Sequence, residues 1–132
     1  MHRTVFTAGF LGLLGTAWAI AEEANINATA RRTSVFQVPL RCEAVPQIGC
    51  GSMSKPILLE LEREPIIREA WLNHTGTVLA IIGSDASNHE SIAKAVESVL
   101  VKNGVSFNEL TGDAYATELK SFTARTDWYR GR

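Results

Sequence analysis

The chain has 132 residues, 45% of them hydrophobic and 20% charged, which suits one folded domain and excludes an intrinsically disordered chain. Thirteen basic and fourteen acidic side chains leave a formal charge of -1, so the basic footprint of a nucleic-acid binder is missing and that class is set aside.

The chain opens with Met1-His2-Arg3, an apolar run from Val5 to Leu14, and small residues at Ala17, Ala19 and Ala21 ahead of Glu22-Glu23. This is the layout of a secretory signal peptide over residues 1–21. A retained anchor is the alternative, since the apolar stretch reaches the lower limit for spanning, about 18 residues. Cleavage predicts an exported protein, periplasmic or extracellular and without a membrane attachment thereafter. Both cysteines, Cys42 and Cys50, lie in the exported part, where an even number permits a disulfide or a metal pair.

Residues 22–33 lack an apolar period and read as a flexible lead-in. Two glycosylation patterns, at Asn27 and Asn73, are too short to carry weight. Phe36, Val38 and Leu40 alternate as in a half-buried strand, with Pro39 marking an edge or an end. A loop over residues 41–49 then delivers the chain to Ile48-Gly49-Cys50-Gly51-Ser52-Met53.

Ser52 and Ser54 are candidate N-caps of the helix that follows, with Pro56 expected in its first turn. Met53, Ile57, Leu58 and Leu61 form its apolar stripe and Pro65 stops it. Residues 67–73 and 77–82 read as two strands joined by His74-Thr75-Gly76, an antiparallel hairpin. Ser87-Asn88-His89-Glu90 predicts a capping box and a second helix, ended by Asn103-Gly104. Val105, Phe107 and Leu110 outline a last strand, and residues 113–122 a short helix.

Strand, helix, strand, strand, helix, strand is the order of the α+β ferredoxin-like sandwich, two helices on one face of a four-stranded antiparallel sheet. A thioredoxin-like fold competes but needs more elements before the hairpin. The domain is expected over residues 34–110, with residues 111–132 as a helical extension and tail.

The loop around Cys50, the helix ending Leu61-Glu62-Arg63-Glu64-Pro65, and Ile67, Ala70, Leu72 and Asn73 together resemble the heavy-metal-associated domain of copper chaperones and periplasmic mercury-binding proteins. By position, Cys50 matches the first cysteine of that family's Cys-x-x-Cys loop and Met53 replaces the second. The resemblance implies a carrier or buffer of a soft ion such as Cu(I) or Hg(II), a metal donor or acceptor protein as partner, and no enzymatic activity. One thiolate with one thioether favours a soft monovalent ion.

For Cys50 three roles stand open: a thiolate ligand lowered in pKa by the helix end, a disulfide partner of Cys42, or an inert thiol. Met53 is claimed by both coordination and core packing. Cys42 is the further candidate ligand. His74 and His89 read as solvated, with His74 placed away from the loop. Glu60, Glu62, Arg63 and Glu64 read as a solvated face able to dock a partner, and Trp71, if exposed, as a partner contact. A monomer is expected. A thiol-redox protein and a metal-free interaction module using the open sheet face are the rival classes.

Overall fold

Alternation along the first strand starts the sheet. The computed structural model describes residues 32–42 and 51–132, within a compact unit spanning Arg31–Arg132. The expected signal peptide and most of the lead-in lie outside the described residues. Strand β1 (Thr33–Gln37) is followed by helix α1 (Gly51–Glu62), strands β2 (Ile67–Asn73) and β3 (Val78–Gly83), and helix α2 (His89–Lys102). Strand β4 (Asn108–Glu109), helix α3 (Gly112–Ala124) and strand β5 (Trp128–Arg130) complete the order.

The sheet runs β4-β1-β3-β2-β5, antiparallel throughout. Register sorts its side chains onto two faces, because successive residues of a strand point to opposite sides. Phe36, Ala70, Leu72, Leu79 and Ile81 join Ile57, Leu58 and Leu61 of α1 and Ile92, Val96 and Val99 of α2 in one core. Val35, Val78, Ala80 and Ile82 form a second core with Phe122 of α3 and Trp128 of β5. The chain is therefore an α+β protein with a helical layer on each side of a five-stranded sheet.

That arrangement corrects the expected four-stranded sheet with one bare face. Residues 111–132 are part of the fold: Phe122 and Trp128 are 2% and 8% exposed, and their rings meet edge to face at 5.2 Å. At β5, Trp128 enters the second core and Tyr129 packs against the first. Gly131 then lies so close to α1 that a Cβ would sit 3.0 Å from Leu58 Cβ and 3.1 Å from the Lys55 carbonyl. The C-terminal segment thus runs as a strap along α1.

The termini of α2 refine the expected signals. Asn88, not Ser87, is the N-cap; its side chain accepts from the Ser91 amide at 2.8 Å while Ser91 Oγ accepts from the Asn88 amide at 3.0 Å. Ser87 instead donates to the Ser84 carbonyl at 2.6 Å. At the other end the Val105 amide donates to the Leu100 carbonyl (2.8 Å) and the Gly104 amide to Val101 (3.0 Å). This paired closure needs a left-handed residue, supplied by Gly104 at φ 68°.

The free edge of β1 is short. Phe36 and Gln37 pair with β4, the Leu110 amide donates to the Val35 carbonyl at 2.8 Å, and the Tyr115 hydroxyl donates to the Thr33 carbonyl at 2.7 Å. Asn73 organises the hairpin: its Oδ1 accepts from the amides of Thr77 (2.9 Å) and Val78 (3.0 Å), and its Nδ2 donates to Thr77 Oγ1 at 3.2 Å.

Candidate functional site

Beyond β1 the chain stays beside the hairpin, with the Val38 amide donating to the Thr77 carbonyl and the Leu40 amide to Gly76, each at 2.9 Å. This carries it to Cys42, a half-buried free thiol. The same bonds bring the hairpin turn, with exposed His74, to the Cys42 end of the sheet.

Helix α1 is described from Gly51 onward, which puts both candidate capping serines inside it and Pro56 beyond its first turn. Its buried positions are Ser54, Ile57, Leu58 and Leu61, spaced i, i+3, i+4, i+7 as one helical face requires. Met53 falls to the side of that stripe and is 50% exposed. Core packing of Met53 is thereby overturned, and its thioether is open to solvent. Ser54 takes the inward position, fully buried, with Oγ 3.1 Å from Tyr129 Oη.

Cys50 and the rest of residues 43–50 lie outside the described residues. Of the three sulfur residues predicted for the site, Cys42 and Met53 are described, and they stand on the two chain segments that bound residues 43–50. Among the described residues no group of three or more His, Cys, Asp or Glu side chains is gathered closely enough to hold a metal ion.

The remaining candidates have structural work to do. His89 is not simply solvated: its Nδ1 lies 2.8 Å from Ser34 Oγ, and its ring meets Tyr115 edge to face at 6.3 Å. Burial pushes the Tyr115 phenol above its ordinary pKa. Trp71 is half-buried: Phe122 meets it edge-on at 5.9 Å and the guanidinium groups of Arg125 and Arg130 lie 5.2 and 5.7 Å from its ring centre. With α3 over the sheet, the second face is covered by Phe122 and Trp128 rather than bare.

Of the charged run, Glu60 and Glu62 are likewise engaged, while Arg63 stays exposed. Glu60 accepts from Lys102 Nζ at 2.7 Å and Asn103 Nδ2 at 3.1 Å, and those bonds hold its carboxyl below the usual carboxylate range. The Glu62 side chain, 2% exposed, pairs with Arg130, and Arg132 Nε lies 3.9 Å away. These contacts tie α1 to α2 and to the strap. The sequence signal for the strap was the period-two trio Trp128-Tyr129-Arg130, too short to stand out.

No known protein family, curated protein or solved structure matches the chain. Among the described residues, no helix is long and apolar enough to cross a membrane.

Proposed function

We propose that the chain is an exported binding protein for a soft metal ion, Cu(I) or Hg(II) in type, on a ferredoxin-like βαββαβ sandwich similar to heavy-metal-associated domains. The strand order β4-β1-β3-β2, with α1 and α2 packed in one core, supports the fold reading; β5 and α3 are additions to it. Cys50 is the proposed thiolate ligand, with Cys42 and Met53 as supplementary sulfur donors.

The observation that carries the reading is the pair of sulfur residues on the chain segments that flank Cys50, Cys42 half-buried and Met53 half-exposed. Cys42 keeps a free thiol at the end of the β1 segment, and Met53 leaves its thioether outside the α1 core. Thiolate and thioether donors select soft cations over hard ones, and the amides at a helix N-terminus favour the thiolate form. A ligand set of one or two thiolates with a neutral sulfur suits an ion that is to be handed to a partner protein rather than retained.

Reduced protein, titrated with Cu(I) against a chromogenic chelator, is expected to take up about one equivalent. Cys50→Ser should abolish uptake, and Cys42→Ser or Met53→Leu should weaken it. Undiminished uptake by Cys50→Ser would sink the reading. So would a mass about 2 Da below that of the reduced protein, because a Cys42–Cys50 bridge removes both thiolates.

A further inference from the structure

A cavity of about 470 Å³ opens between α3 and the ends of β1 and β3, within the ~300–1,000 Å³ range of small-ligand sites. Val78 of β3 and Leu110, just before α3, give it an apolar part. Gln37 and Thr117 add an amide and a hydroxyl. Two charged residues complete the lining, Arg41 from the segment after β1 and Glu118 from α3. Among the described residues neither joins an ion pair, with the other or with a third residue.

Opposite charges that share a cavity without pairing leave a guanidinium free for a carboxylate and a carboxylate free for an ammonium. We infer that this cavity binds a zwitterionic α-amino acid with an apolar side chain. Arg41 takes the ligand's carboxylate and Glu118 its ammonium, each through charge-assisted hydrogen bonds, the stronger kind. Val78 and Leu110 receive the side chain, so a ligand must offer both charges and an apolar group to satisfy the site. Arg-carboxylate pairing is the more directional of the two polar contacts, because the planar guanidinium matches a carboxylate with two parallel donors. The site uses none of the three sulfur residues, so it stands or falls independently of metal binding.

Titration calorimetry of the full chain with L-leucine tests the inference, with isovalerate and isopentylamine as ligands that each keep one charge and the same branched group. Leucine is expected to bind with a Kd on the order of 0.1–1 mM, a range reached by small ligands with few polar anchors. Each single-charge analogue should bind at least tenfold more weakly, and Arg41→Gln and Glu118→Gln should each lose at least tenfold in leucine affinity. Thermal melts verify that both variants remain folded; Arg41 is exposed and Glu118 only half-buried. Absence of leucine binding at about 10 mM, equal binding of an analogue, or full affinity in either folded variant overturns the assignment.

Discussion

The Tyr129 hydroxyl lies 3.1 Å from that of Ser54, joining the C-terminal strap to the first turn of α1 across 75 residues of chain. Ser54 is fully buried, so its hydroxyl has no recourse to water if the phenol is removed. Tyr129→Phe should therefore cost about 1–2 kcal/mol, the penalty for a stranded buried polar group rather than the smaller net worth of a hydrogen bond. Combining it with Ser54→Ala should recover part of that loss, since the double variant leaves no orphan. Urea unfolding of the four proteins in the cycle measures both quantities, and strict additivity would show that the contact is incidental.

Asn73 is the residue on which the hairpin depends. Asn73→Ala removes the acceptor of two backbone amides and should cost roughly 2 kcal/mol. Asn73→Asp keeps that acceptor and loses only the bond to Thr77 Oγ1, so its midpoint in denaturant should fall less than half as far. Equal destabilisation by the two substitutions would assign the turn's stability to other contacts.

Stability should decline at both ends of the pH scale for two identifiable reasons. Glu60 has its pKa lowered below the ordinary 4.5 by the hydrogen bonds from Lys102 and Asn103. Its contribution is thus present above about pH 4.5 and disappears as pH falls through the lowered value. Tyr115 has its pKa raised above 10.0 by burial. Its contribution is complete below about pH 10 and is lost as pH climbs through the raised value. Denaturant midpoints should show a shallower acid limb in Glu60→Gln and a shallower alkaline limb in Tyr115→Phe, each leaving the opposite limb as in the parent.

Much of the architecture could be read from residues alone, where a pattern was long enough to distinguish faces. Phe36, Val38 and Leu40 marked one side of the β1 segment, and all three are in the first core. The hairpin was equally plain, and of the expected α2 stripe Ile92, Ala93, Val96, Val99 and Leu100 all but Ala93 are buried, Ala95 taking the remaining inward place. Failures came where two residues competed for one role. Ser87 and Asn88 are both good caps, and Ser91 at N3 answers Asn88 as Glu90 would have answered Ser87. Met53 outranks Ser54 in hydrophobicity, yet the 100° step of the helix turns Ser54 inward, where Tyr129 makes a polar side chain tolerable.

The strap was hidden for a different reason. Trp128, Tyr129 and Arg130 put one residue in the second core, one against the first and one over Trp71, and three residues are too few to display a period. For the candidate site, sequence order supplied Cys42, Cys50 and Met53 but not their surroundings. The nearness of the hairpin to the Cys42 segment rests on the bond between the Leu40 amide and the Gly76 carbonyl, a contact that no local spacing encodes.

The central strand Val78–Gly83, buried at every position, has the composition of an amyloid-forming segment: six residues, strongly β-prone, uncharged and free of proline. In the native protein it is sealed between β1 and β2, while the sheet's outer strands are two and three residues long. Another chain therefore finds little template at the borders. Release of the dangerous segment requires the sheet itself to open, so propensity to aggregate should follow the population of the unfolded state, and conditions that loosen α3 or the strap should raise it first.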